Sequence, residues 1–189
     1  MKLQQIIPFA HQLLESTVSP GDITVDATTG NGNDTLFLAK LVGESGHVFG
    51  FDIQQEAIFQ TENRLREANI SNATLFNQGH ETINQAIPES TRDKIKGAIF
   101  NLGYLPGGDK HIVTQSASTI EAIEQLLSMM PSEGIIVVVI YHGHPEGLEE
   151  KKGLMEYVSK IDQKMAHVLQ YQFINQANDP PFIIAIEKR

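Results

Sequence analysis

Two acids and a pair of glycines carry the first recognisable chemistry in this sequence. Asp26 ends the run Ile23-Thr24-Val25, and Thr28-Thr29-Gly30-Asn31-Gly32-Asn33-Asp34 follows almost at once. Asp52 ends a second run, Val48-Phe49-Gly50-Phe51. Glycines let a backbone approach a ligand closely, the helix that opens beyond them presents free N–H groups, and an acid at the end of the next strand accepts hydrogen bonds from ribose hydroxyls. This is the pattern of a mononucleotide half-site. Its candidate contacts are Asp26, Thr28, Gly30, Asn31, Gly32, Asn33, Asp34 and Asp52, with Gln54 beside the adenosine pocket.

Further clusters fall where later strands should end. Gly79-His80-Glu81 follows the third strand, and His80 and Glu81 are placed to meet an adenine ring. Asn101-Leu102-Gly103-Tyr104-Leu105-Pro106 follows the fourth strand and Lys110 lies just beyond it. His142 and His144 leave the fifth strand, and Pro180 sits in a Pro-Pro turn near the C-terminus. Two histidines one residue apart suggest a metal, but no third ligand is evident, so no metal is expected. Leu105, Pro106, Lys110, His142, His144 and Pro180 are read as substrate-side residues.

The elements that must position these groups follow from periodicity. Leu3, Ile6, Ile7, Ala10, Leu13 and Leu14 recur at helical spacing and predict a helix over about residues 2–17. Strands are expected at Ile23–Asp26, His47–Asp52, Ala73–Asn77 and Gly97–Asn101. Helices are expected from about Asn33 to Val42, over about 55–69 and from Ser116 to Met130. Ile135–Tyr141 is an almost unbroken branched run, as in a central parallel strand covered on both faces. A charged helix over about 146–165 precedes two last strands, His167–Ile174 and Phe182–Lys188. These two lack room for a crossover helix and should pair antiparallel. The expected fold is a doubly wound, Rossmann-like α/β domain over residues 1–189, with about seven strands and a closing hairpin.

Bulk composition narrows the class. The 189 residues contain no cysteine, which excludes disulfides and thiolate chemistry and suits a reducing cytoplasm. No apolar run reaches the roughly 18 residues of a membrane span, and the N-terminus lacks the pattern of a signal peptide. A cytoplasmic protein without a membrane partner is therefore expected. The net charge of −9 argues against general nucleic-acid binding through phosphates and leaves only a local contact with structured RNA.

Charge also separates the possible cofactors. A dinucleotide loop prefers a third small residue, and here that position is Thr35. Asp26 beside two threonines repels a pyrophosphate but suits a cationic ligand. S-adenosyl-L-methionine carries a sulfonium, an ammonium and no phosphate, and a closing antiparallel hairpin is the usual end of methyltransferases that use it. A nicotinamide-dependent oxidoreductase is the less favoured alternative.

The blocks Asp26–Asp34, Gly79–Glu81, Asn101–Lys110, Tyr141–Gly147 and Asn178–Pro181 together resemble the bacterial rRNA methylase family of class I methyltransferases over nearly the whole chain. The resemblance implies N-methylation of 5-aminomethyl-2-thiouridine at the wobble position of tRNA, contact with the anticodon region, and a homodimer. The Asn101–Tyr104 segment is also similar to the Asn/Asp-Pro-Pro-Tyr loop of amine methyltransferases, with Leu102 and Gly103 in place of the prolines. That likeness implies that the Asn101 carbonyl orients the target nitrogen while Tyr104 stacks on the base. Methylation of a small amine metabolite or of rRNA are the alternatives.

Overall fold

Glycine 97 shows how closely the layers of this fold approach. In the computed structural model, which describes residues 2–103, 114–143 and 145–189, a Cβ at Gly97 would lie 2.7 Å from Val18 and 3.0 Å from Leu14. The first helix, α1 (Ile6–Glu15), thus rests directly on strand β4 (Ile95–Leu102). It begins at Ile6 and not near residue 2, because Pro8 is accommodated in a first turn and Gln5 takes the N-cap position.

Strands β1 (Ile23–Asp26), β2 (His47–Phe51), β3 (Ala73–Phe76), β4 and β5 (Ile135–Ile140) run parallel. The last strands, β6 (Ala166–Tyr171) and β7 (Phe182–Lys188), form the expected antiparallel hairpin, and β7 inserts beside β5. The sheet order is β3-β2-β1-β4-β5-β7-β6. The order reverses between β1 and β4, so their carboxyl ends open a crevice, the usual ligand position in a doubly wound sheet.

Strand alternation divides the core into two layers. Ile136, Val138 and Ile140 of β5 join Phe100, Leu102, Ile123 and Leu126 on one face. Ile135, Val137 and Val139 join Leu14, Leu38, Val42 and Ile99 on the other. Helices α1 and α2 (Asn33–Val42) supply the second layer, whereas α5 (Ser116–Met129) and α6 (Pro145–Val158) supply the first. Asn101 shares the face of Ile99 and Gly97, by the two-residue period of a strand. Its side chain is therefore directed toward α1 and α2.

Helix α3 (Gln55–Glu67) follows β2, and a short α4 (Ile83–Ala86) with flanking tight turns fills the path from β3 to β4. That path was not legible as helix, since its apolar residues are few and widely spaced. Helix α6 ends at Val158, short of the expected boundary near 165, where Asp162 accepts the Lys164 N–H and turns the chain into β6.

The approach of α1 to β4 yields a stability prediction. Gly97→Val should destabilise the protein by about 1–3 kcal/mol in chemical denaturation, because the added methyls drive α1 off the sheet. An unchanged denaturation midpoint would mean that α1 is not seated on Gly97.

Candidate active site

The crevice at the ends of β1 and β4 opens into a cavity of about 780 Å³, within the range of cofactor sites. Its walls bring together Thr28, Gly30, Asn31, Asn33, Asp34, Asp52, Gln54, His80, Glu81 and Asn101. These residues come from four separate stretches of chain. Tyr104, Leu105, Pro106, Lys110 and His144, also expected at the site, lie outside the described residues.

The glycine turn is shaped by left-handed backbone. Gly30 has φ of 52° and Gly32 of 74°, and a Cβ on Gly32 would meet the Thr61 backbone at 2.9 Å. Gly32 is therefore not a wall residue but the close-packed N-cap of α2, against α3. Asp52 is held by two backbone donors, the Gly30 N–H at 3.0 Å and the Gln54 N–H at 2.9 Å. These bonds fix both carboxylate oxygens at the rim, and each keeps lone-pair capacity for a ribose hydroxyl. Burial raises the Asp52 pKa, and the two N–H donors and the nearby His80 oppose that rise.

Asp26 does not meet the cavity. It is 1% exposed, beneath the loop, where Thr35 Oγ1 donates to it at 2.6 Å and the Thr28 N–H at 3.2 Å. The expectation of a direct cofactor contact is corrected here: a strand-terminal acid that caps its own loop has turned inward. Burial, and then the Asp34 charge, push its pKa from 3.8 up to about 7, against the hydrogen bonds from Thr35 and Thr28.

His80 is also occupied by the fold. Its Nδ1 lies 3.0 Å from the Ala27 carbonyl, which can only accept, so Nδ1 carries the proton. Nε2 is 3.4 Å from the Thr119 hydroxyl, and the ring sits edge-on to Phe100. Burial lowers its pKa, against the Ala27 carbonyl and the Glu81 and Asp52 charges. His80 thus ties the β1 loop to α5 and offers the cavity no free polar atom. His142 and Pro180 are not among the walls: His142 is buried 5.4 Å from the Phe182 ring, and Pro180 lies half-buried before β7.

The densest bonding surrounds Asp34. The Asn101 Nδ2 donates to one of its oxygens, and His11 Nε2 lies 2.6 Å from the other. A carboxylate only accepts, so the Asn101 atom facing it must be the amide nitrogen. Asn101 Oδ1 is then turned away, buried, and without a hydrogen-bond partner among the described residues. The Asn101 N–H donates to Thr28 Oγ1 at 2.7 Å, fixing the backbone of the same residue. His11 was missed in the sequence because nothing local links a polar position on α1 to a motif that begins 15 residues later. Tyr141, from the block that ends β5, also lines the wall, and Ile7 and Ser118 are further wall residues without a sequence signal.

The described walls carry Asp34, Asp52 and Glu81 but no lysine or arginine. Such a wall repels a pyrophosphate and favours a cation, and the unpaired acceptor on Asn101 calls for an N–H donor. Among the described residues, no group of three or more His, Asp or Glu could hold a metal ion. Likewise, no described helix is long and apolar enough to cross a membrane.

Residues 48–187 match the family described as "Putative rRNA methylase". The chain belongs to this family. It is 35% identical over 188 residues to the chloroplastic tRNA (mnm5s2U34)-methyltransferase of Arabidopsis thaliana, covering 95% of this chain and 68% of that protein. A crystal structure carrying the family's description, from Clostridium thermocellum, superposes with a TM-score of 0.96 at 43% identity over 100% of both chains. A Streptococcus mutans chain crystallised with SAH (S-adenosylhomocysteine) gives 0.89 at 37% identity over 99% of both.

Because Asp26 holds its proton more tightly when folded, its contribution to stability is full below about pH 4 and is lost as pH rises through about 7. Relative to Asp26→Asn, wild-type stability should therefore fall between these values, by up to about 1.4 kcal/mol per pH unit. Thermal unfolding of both proteins across that range checks this, and parallel curves would contradict it.

Proposed function

We propose that this protein is an S-adenosylmethionine-dependent N-methyltransferase that converts 5-aminomethyl-2-thiouridine at the tRNA wobble position to 5-methylaminomethyl-2-thiouridine. The observation that carries N-methylation is the buried Asn101 Oδ1, an acceptor without a donor, held by Asp34 in a cavity with acidic walls. The nucleoside rests on the name of the Arabidopsis relative and on the blocks that resemble the family. SAH bound to the Streptococcus mutans chain supports the cofactor.

The residues present fit that cofactor. Asp52, fixed by Gly30 and Gln54, would hold the ribose hydroxyls. Gly79, His80 and Glu81 would flank the adenine. When bound, S-adenosylmethionine supplies an electrophilic methyl group. The protein's part is to bring an amine to it with its lone pair aligned, since positioning provides most of the acceleration in such a displacement. Asn101 Oδ1 accepts an N–H of the amine and so directs the lone pair away from itself. Tyr141, whose hydroxyl is kept protonated by burial and by the Asp34 charge, adds a neutral wall.

The reading includes a cytoplasmic homodimer that contacts the anticodon region of tRNA. Exposed Met165, Val168 and Leu169, on or beside the outer strand β6, support a protein–protein contact. The net charge of −9 favours a second reading, methylation of a small amine metabolite.

The test is mass spectrometry of nucleosides from hypomodified tRNA incubated with the protein and S-adenosylmethionine. Gain of one methyl group on 5-aminomethyl-2-thiouridine is expected. Methylation of free small amines without any on tRNA would select the second reading. Asn101→Ala should lower turnover about 100-fold while leaving cofactor affinity nearly intact. A matching loss of affinity would move Asn101 into the cofactor site.

A further inference from the structure

An aminomethyl group is largely protonated near neutral pH, and an ammonium has no lone pair to donate. On the reading that the substrate is such an amine, some group must take a proton before methyl transfer. We propose that His11 of α1 is that proton acceptor, positioned by Asp34, so that one carboxylate orients both the base and the Asn101 carbonyl that receives the amine.

The geometry assigns the proton on His11. Its Nε2 lies 2.6 Å from Asp34 Oδ1, and a carboxylate oxygen accepts, so Nε2 is the protonated nitrogen. In the neutral ring Nδ1 then carries the lone pair, and no hydrogen bond to it occurs among the described residues. The ring is fixed by stacking on Phe37, with centroids 3.8 Å apart and planes 5° from parallel. Phe37 follows Asp34 by one helical turn of α2, so a single face of α2 supplies both the bond and the stack. His11 lines the cavity together with Asn101, and its side chain is 25% exposed, which leaves a route for the proton to water.

Of the other basic groups on the walls, Asp34, Asp52 and His80 are committed, and Glu81 lies beside His80 on the side assigned to the adenine. Both Asp34 oxygens are bonded, to His11 and Asn101. Both Asp52 oxygens hold backbone N–H groups. His80 is buried, with Nδ1 bound to the Ala27 carbonyl and Nε2 facing Thr119. The charged group in contact with His11 is Asp34, whose carboxylate also bears on Asp26 and Tyr141. On its own helix Glu15 follows one turn later, and Tyr171 of β6 packs on Phe9.

The step balances. The substrate ammonium gives one proton to His11 Nδ1, and the imidazolium formed is paired with Asp34. The freed nitrogen lone pair forms the N–CH3 bond while the methyl–sulfur bond breaks and leaves its electron pair on sulfur. The product departs as a secondary ammonium, and His11 returns its proton to solvent. One proton is released per methyl transferred.

The test is the pH profile of single-turnover methylation on tRNA bearing 5-aminomethyl-2-thiouridine, for wild type and His11→Gln. Glutamine keeps a donor for Asp34 and removes the basic nitrogen. The variant should be about 100-fold slower near pH 7 and should regain most of that loss toward about pH 10, where the amine deprotonates unaided. Identical profile shapes for the two proteins would overturn the proposal while leaving the N-methyltransferase reading in place. An inactive wild type would instead overturn that reading, and this proposal with it. Nitrogen NMR of the His11 ring in the wild-type protein gives a second readout independent of turnover and of the variant's folding. The Nε2-protonated tautomer is expected, and an Nδ1-protonated ring would overturn the assignment.

Discussion

The site depends on one carboxylate shared between two donors. Asp34, in the first turn of α2, takes the Asn101 amide from β4 and the His11 ring from α1. Hydrogen bonds to an ionised acceptor are about twice as strong as neutral ones, and these two join three elements that sequence keeps far apart. They also decide which end of Asn101 faces the ligand. The cost is electrostatic, since Asp26 and Asp52 stand nearby. Asp26, the most buried of the three, absorbs much of that repulsion by keeping its proton to about pH 7.

The sheet makes this bond possible. Asp26 aligns with Ile99, and Asn101 lies two residues further along β4, on the face that α1 and α2 cover. Gly97, two residues before Ile99 on that face, has no side chain, so α1 settles close enough for His11 to reach the cavity. On the opposite layer, His80 and Thr119 tie the β1 loop to α5, and Thr119 also bonds Glu150 of α6. The acceptor crevice is thus held from both faces, by a charged bond on one side and a neutral chain of bonds on the other.

Much of the architecture was legible because it is periodic. The branched run of β5, the helical spacing in α5 and the want of room for a crossover before β7 each follow from local pattern. Boundaries at Ile6 and Val158 were less legible, since a tolerated proline and an aspartate turn decide them. At the site, Gly30, Gly32 and Asp52 announce themselves by type and spacing. Asp26 and His80 were conspicuous for the same reason, yet their polar atoms are bound inside the protein. His11 was invisible. A histidine on an amphipathic helix becomes part of a site only through the tertiary contact that places it on Asp34.

The central claim is that Asp34 serves the acceptor side of the cavity and not the cofactor. Asp34→Asn tests it when the affinity for S-adenosylhomocysteine, by calorimetry, is measured beside the single-turnover rate on aminomethyl-thiouridine tRNA. The account predicts a rate lowered about 100-fold, as expected for a misoriented reacting group, with affinity little changed. Loss of affinity in step with the rate would contradict it and would make Asp34 a cofactor ligand.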